Sequence, residues 1–125
     1  MAEQPKSLYA RLGGYDAITA VVEDLLPRLR RDALLGRFWQ NRGDDGVHRE
    51  KQLLIDFLCA SAGGPIYYTG RDMALSHKGM RISGTDWANF IGHVTATLDA
   101  FQVPQQERSE VLAFIESTKG EIVEV

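Results

Sequence analysis

Histidine offers the most versatile metal and acid–base chemistry in this chain, and the sequence contains three: His48, His77 and His93. No two of them have the i, i+4 spacing that places two imidazoles on one helix face, and no HExxH pattern occurs, so a zinc site of the protease type is not indicated. His93 stands two residues past Ile91 and off the apolar stripe of its predicted helix. We therefore interpret His93 as a surface or hydrogen-bonded structural residue.

His77 has a different setting. It follows a loop rich in glycine and proline, Met73 lies one helical turn before it, and Ile82 and Trp87 follow it. One imidazole among apolar and aromatic side chains suits the axial ligand of a haem iron. The alternative is an imidazole placed beside a hydrophobic core without haem. That arrangement costs desolvation but is left open by the spacing alone.

Nucleophilic catalysis is not indicated by the remaining residues. The sequence has no GxSxG pattern, which marks the nucleophile turn of many hydrolases. The single cysteine, Cys59, cannot form an intramolecular disulfide or build a thiolate metal site. Because Cys59 stands in an apolar stretch, we expect it to be a small buried core residue.

The composition is that of a soluble globular domain, with 44% hydrophobic residues, 25% charged residues and a formal net charge of −3. This charge gives no basic face for nucleic acid or anionic membranes. No apolar run approaches the roughly 18 residues that span a bilayer. We expect one domain over residues 1–125, with 1–7 as a flexible N-terminal segment. That polar start lacks the apolar stretch of a signal peptide, so a cytoplasmic location is expected.

Helices must position these residues, because apolar side chains recur at three- and four-residue spacing almost throughout the chain. A short first element is expected around Leu8–Leu12. A longer helix follows over about 18–29, and Pro27 inside its pattern should kink or shorten it. Asp32 can cap a short helix over 34–39.

The second half of the chain continues the helical pattern. A helix is expected from about Asp45 to Ala62, followed by a loop over 66–70 and a helical turn near 71–77, which carries His77. Long loops in compact domains usually carry function, so this loop marks the candidate site.

Ser83 opens the clearest helix of the sequence, and its apolar stripe runs to Phe101. Pro104 suits the first turn of a last helix, which is expected to end near Gly120. Strand signals are poor, so the sequence predicts an all-α fold.

Several stretches resemble truncated haemoglobins, and within that family they look most like group I. In the stretch HKGMRI, His77 falls on the iron-binding histidine. The resemblance covers nearly the whole chain and implies a two-over-two helical sandwich that binds haem b. The stretches that carry it are LYARLGG (8–14), AITAVV (17–22), GGPIYYTGRDM (63–73), HKGMRI (77–82) and the helix over 87–104.

The resemblance also implies which side chains surround the haem. Phe38 and Trp39 fall where aromatic residues wall the distal side, and a distal helix contributes three more side chains. With His77 as the iron ligand, the expected haem contacts are Phe38, Trp39, Leu54, Phe57, Leu58, Tyr68, Met73, His77, Ile82, Trp87, Ile91 and Val94.

The expected distal pocket departs from the residues that are common in the family. A tyrosine is frequent where this chain has Leu26, and a glutamine where it has Leu54. Neither leucine can donate a hydrogen bond to a ligand, a contact worth ~1 kcal/mol, so dioxygen is expected to be held weakly. Trp39 has an indole N–H that can donate such a bond, but it can equally be a packing wall.

The resemblance implies a protein that binds diatomic gases such as O2, NO or CO. Three alternatives are left open: an NO dioxygenase or peroxidase-like activity served by a reductase, electron transfer, and a haem-free helical interaction module. The oligomeric state is also left open.

The sixth iron site is expected to be open. His48 lies about 9 Å along the predicted helix from Leu54, too far to reach an iron beneath that leucine. If the helix start is frayed or shifted, His48 can swing in, and Lys51 or Gln52 can also approach the iron.

Overall fold

The computed structural model describes residues 6–40, 42–66, 68, 70 and 73–125, except for the side chain of Leu75. The expectations for residues 1–5, and those for residues 67, 69, 71 and 72 of the loop and turn before His77, lie outside the described residues. Across the described ranges the regular structure is helical and includes no strand. The prediction of an all-α fold is therefore confirmed.

Seven α-helices and one 3-10 helix make up the regular structure of the described residues. In chain order they are α1 (Leu8–Leu12), α2 (Gly14–Arg31), the 3-10 helix (Leu35–Trp39), α3 (Asp44–Ser61), α4 (Met73–His77), α5 (Gly84–Ala100), α6 (Gln105–Glu116) and α7 (Lys119–Ile122).

The first two helices are separated by a single turn. Ser7 caps α1, because its hydroxyl oxygen accepts a hydrogen bond from the Ala10 amide at 3.1 Å. Gly13 then adopts a φ of 110°, a left-handed conformation that glycine reaches without a steric penalty. Beyond it, α2 continues through Pro27 as far as Arg31, so the proline does not shorten this helix.

Helix α5 begins where the sequence predicts. Ser83 accepts a hydrogen bond from the Asp86 amide at 3.1 Å, and the Asp86 carboxylate accepts one from the Ser83 amide at 2.9 Å. This reciprocal capping satisfies two of the backbone donors that a helix start leaves unpaired. It also fixes the start of the helix that carries Trp87.

The prediction of one last helix ending near Gly120 is wrong, because two helices, α6 and α7, cover this part of the chain. Between them, the hydroxyl of Thr118 donates to the carbonyl of Ile115 at 2.6 Å, and the hydroxyl of Ser117 donates to the carbonyl of Phe114. These side chains compete with the backbone donors of a continuing helix.

The core lies between α2 and the helices that pack on it, namely α1, the 3-10 helix, α3 and α5. Cys59 is fully buried there, as expected, and burial raises the pKa of its thiol. Away from this core, α1 also contacts α6, and α4 contacts α7. None of the described helices is both long and apolar enough to cross a membrane.

Candidate functional site

A cavity of about 330 Å³ lies among α2, the 3-10 helix, α3, α4, the start of α5, and the α6–α7 region. Its walls are predominantly apolar, with few polar or charged groups. This volume falls within the roughly 300–1,000 Å³ typical of pockets for small molecules and cofactors. The cavity is therefore the candidate site.

Most side chains that the sequence predicts around the site line this cavity. Ile91 and Val94 are absent from the lining: Val94 is buried at 4% exposure, and Ile91 packs against the same core cluster. Both lie on α5 beyond Asp86, Trp87 and Phe90, the α5 residues that line the cavity. The predicted residues in the lining are Leu26, Phe38, Trp39, Leu54, Phe57, Leu58, Tyr68, Met73, His77, Ile82 and Trp87.

Other lining residues were not predicted. Phe90 and Ile115 stood in the apolar stripes, so their burial was foreseeable but their place in the cavity was not. Ile122 was missed because α7 was missed. The further residues are Leu25, Leu29, Leu35, Arg42, Glu50, Leu53, Ser76, Met80, Asp86, Phe90, Ile115, Thr118 and Ile122.

The imidazole of His77 is held from one side. Its Nδ1 lies 2.9 Å from the carbonyl oxygen of Met73, one turn earlier in α4, and 2.9 Å from the hydroxyl oxygen of Ser76. A carbonyl can only accept, so Nδ1 carries the proton and donates. A neutral imidazole of this tautomer has its lone pair on Nε2, the nitrogen left to bind a metal.

A second part of the lining is formed by α2, the 3-10 helix and α3. It presents Leu26, Trp39, Leu54 and Phe57, and we call these four residues the apolar wall. The ring of Phe57 meets that of Tyr68 edge to face, with centroids 5.4 Å apart and planes 72° apart. Packing of this kind fixes the positions of both rings.

An ion pair ties the 3-10 helix to α5. The two terminal guanidinium nitrogens of Arg37, Nη1 and Nη2, donate to the carboxylate of Asp86 at 2.9 and 2.7 Å, and Asp86 is only 1% exposed. The guanidinium of Arg37 also lies 4.2 Å above the ring centroid of Phe38. Arg37 lowers the pKa of Asp86 to about 2, so this buried carboxylate remains ionised.

A second charged pair, Arg42 with Glu50, belongs to the cavity lining and forms an ion pair. Their side chains are 44% and 35% exposed, so this part of the cavity opens to solvent. Glu50 precedes Leu54 by about one helical turn on α3. The sequence analysis does not include Glu50 among the site residues, because no local signal marks a charged helix residue as part of a cavity.

The candidate internal ligands of the sixth site do not line the cavity. His48 is exposed. The amine of Lys51 lies 3.4 Å from a carboxylate oxygen of Glu23. The amide of Gln52 donates to the hydroxyl of Tyr15 at 2.9 Å, and to Asp56 at 3.0 Å.

His93 takes a structural position. Its Nε2 lies 2.8 Å from a carboxylate oxygen of Asp32. The other carboxylate oxygen accepts hydrogen bonds from the amides of Leu34 and Leu35. The contact with His93 and these two amides lower the pKa of Asp32 to about 2. Asp32 therefore caps the short helix, as predicted, and His93 joins that cap to α5.

A smaller cavity, of about 180 Å³, lies beside the first, among α1, α2 and the turn between α5 and α6. Leu58 on α3 lines both cavities. The smaller cavity contains no histidine in its lining, so it is not a candidate for the metal site.

Comparison with known proteins places this architecture in a family. The family model described as bacterial-like globin matches residues 7–124. The chain belongs to this family. The globin is 34% identical over 119 residues to the group 1 truncated hemoglobin GlbN of Mycolicibacterium paratuberculosis, covering 95% of this chain and 85% of the relative. It is 31% identical over 120 residues to that of Tetrahymena pyriformis, covering 96% and 97%.

Solved structures agree with the fold of this globin. The Fe(III) form of Tetrahymena pyriformis truncated hemoglobin superposes with a TM-score of 0.86 at 28% identity, covering 96% of this chain and all of that one. The 2/2 hemoglobin of Synechococcus superposes at 0.85 with 23% identity, covering 94% and 98%, a likeness of fold alone. The two-over-two helical fold of a truncated globin is thus confirmed.

Membership of the globin family makes this a haem b protein, and the cavity fits that cofactor. Haem needs an apolar slot with one strong axial donor, and the cavity supplies apolar walls and the imidazole of His77. Within the described residues, no group of three or more His, Cys, Asp or Glu could hold a bare metal ion. The donor set therefore suits an iron that arrives already held in a macrocycle.

Proposed function

We propose that this globin binds diatomic gases at a haem iron ligated by Nε2 of His77. The observation that carries the proposal is the hydrogen bond of Nδ1 to the Met73 carbonyl at 2.9 Å, at the edge of an apolar cavity. Such a bond fixes the tautomer and the ring orientation of a metal-binding histidine and raises its basicity. Haem supplies the iron, and the chain supplies the axial nitrogen and predominantly apolar walls.

The apolar wall supports gases as the ligands. Leu26 and Leu54 offer no hydrogen-bond donor, and the ionised carboxylate of Glu50 can only accept. Carbon monoxide depends little on a donor, whereas dioxygen gains ~1 kcal/mol from one. We therefore expect the protein to favour CO over O2 and to release O2 quickly.

An open sixth site is supported by the places of the three competing side chains. Lys51 and Gln52 are engaged with Glu23, Tyr15 and Asp56. His48 is exposed and outside the cavity lining. A gas can then bind without first displacing a side chain of the protein.

Absorption spectra of the ferric, ferrous and CO-bound protein test the proposal. The unmodified protein should show a Soret band that shifts on CO addition, and His77→Ala should lose haem or hold it loosely. His48→Ala is the matched control and should leave all three spectra unchanged.

Two results would contradict the proposal. An unchanged ferrous spectrum in His77→Ala would show that another residue ligates the iron. Sharply split low-spin bands without added ligand, abolished in His48→Ala, would show that the sixth site is filled from within.

A further inference from the structure

The turn that follows His77 has an unusual backbone. Gly79 and Arg81 both adopt positive φ values, 85° and 57°. Glycine reaches this region freely, but for arginine it is uncommon. A strained residue persists only where its surroundings hold it, and such residues cluster at functional sites.

One carboxylate holds this turn. The amide of Arg81 donates to Oε1 of Glu124 at 2.8 Å, and the amide of Gly79 donates to Oε2 at 3.1 Å. These two bonds lower the pKa of Glu124 below its usual value, and the bond from the Arg81 amide has the larger effect. Charge-assisted bonds of this kind are stronger than neutral ones.

The backbone around Glu124 reinforces the attachment. The amides of Glu124 and Val125 donate to the carbonyl of Ile82, at 2.9 and 3.3 Å. The segment after α7 is therefore fastened to both ends of the turn over 79–82. Glu124 is the only side chain among the described residues that accepts from the amides of Gly79 and Arg81.

The turn is coupled to the ring of His77 through short connections. The amide of Met80 donates to the His77 carbonyl at 3.1 Å, and α4 packs against α7. Ile122 on α7 and Met80 in the turn both line the cavity. Movement of the turn would therefore displace the backbone that carries His77 and the cavity lining at Met80 and Ile122.

We propose that Glu124 is a positioning residue for His77, which sets the orientation of the imidazole by holding the turn over 79–82 with positive φ at Gly79 and Arg81. This inference rests on the proposed function, because it assumes that His77 binds the iron. Glu124, the residue proposed to orient the His77 ring, lies 47 positions later in the chain and outside the cavity lining.

The test compares Glu124→Ala and Glu124→Gln with Glu121→Gln, an exposed acidic residue of α7, as the matched control. The readouts are the iron–histidine stretching band of the ferrous protein, by resonance Raman spectroscopy, and the rate of haem transfer to an acceptor apoprotein. Glu124→Ala should shift or broaden the band and speed haem transfer by about fivefold, as expected for the loss of hydrogen-bond support. Glu124→Gln should give an intermediate band shift and transfer rate, because its amide oxygen still accepts one bond. Glu121→Gln should give the band and the transfer rate of the unmodified protein.

Thermal unfolding separates positioning from stability. A Glu124→Ala protein that melts earlier but keeps the band and the transfer rate would overturn the inference, while loss of the band in His77→Ala would uphold the proposed function. Absence of the band from the unmodified protein would overturn both. If Glu124→Ala does not fold, Glu124→Gln with an unchanged band overturns the inference by itself.

Discussion

Two parts of the cavity lining are built on different physical principles. The segment over 73–82, which carries His77, is positioned by directional hydrogen bonds that the Met73 carbonyl and the Glu124 carboxylate accept, together with the contact between Ser76 and the ring. The apolar wall is positioned by packing of α2 and α3 on each other. Hydrogen bonds fix the direction of single atoms, whereas packing fixes volume and tolerates exchange between side chains of similar size. The difference suits an axial ligand, which needs an angle, and a gas site, which needs space.

The ion pair of Arg37 and Asp86 brings directional bonding into the region of the apolar wall, because it fastens the 3-10 helix to α5. Asp86→Asn keeps the size of the side chain but removes its charge. We expect a loss of about 2 kcal/mol in the free energy of unfolding, since hydrogen bonds to a buried charge are the strong ones. Denaturant unfolding at neutral pH measures this effect.

A matched control for Asp86→Asn is Asp99→Asn on the same helix. Asp99 is 60% exposed and pairs with Arg108, and an exposed pair of this kind contributes about 0–1 kcal/mol. Equal losses in the two variants would mean that the buried pair does not fasten the 3-10 helix.

The pH dependence of stability gives Asp86 a second signature. Its folded pKa is lowered to about 2, so its stabilisation is complete above the unfolded pKa of roughly 4 and is lost as the pH falls towards 2. Asp86→Asn should flatten this part of the acid profile. An unchanged profile would assign the acid sensitivity to other carboxylates.

A smaller effect is expected from adding a donor to the apolar wall. Leu54→Gln places an amide N–H in the cavity and should slow O2 release about fivefold, because a new hydrogen bond contributes ~1 kcal/mol. Stopped-flow O2 dissociation measures it, and CO release should change less. The apolar variant Leu54→Met is the control and should keep the original rate.

Trp39→Phe asks whether the apolar wall already contains a working donor. If the indole only packs, O2 release should change by less than about twofold, below the effect of one hydrogen bond. If O2 release is slow in the unmodified protein and becomes fast in Trp39→Phe, the indole N–H of Trp39 donates a hydrogen bond to the bound O2. The contrast between the two parts of the lining would then fail.

The helices could largely be predicted from sequence because apolar periodicity and capping residues are local signals, whereas the site residues were predicted from the family resemblance. Ser83 opens α5 as predicted, and Asp32 caps the short helix. The break between α6 and α7 was missed, because Ser117 and Thr118 end a helix by bonding back to it, and the same residue types also occur within helices. For the same reason the predicted site does not include Ile122, which lies on α7.

Contacts between distant segments could not be predicted from one sequence. Nothing local pairs Arg37 with Asp86, or Glu124 with the amides of Gly79 and Arg81. The part of α5 that reaches the cavity also could not be predicted, because Trp87, Ile91 and Val94 all belong to one apolar stripe. Tertiary packing decides which part of that stripe reaches the cavity and which part joins the core.

The two cavities bear on how this globin responds to compression. Hydrostatic pressure favours unfolding in proportion to the internal voids that unfolding removes. Haem fills the larger cavity but leaves the 180 Å³ space among α1, α2 and the α5–α6 turn. The holoprotein should therefore withstand pressure better than the haem-free chain.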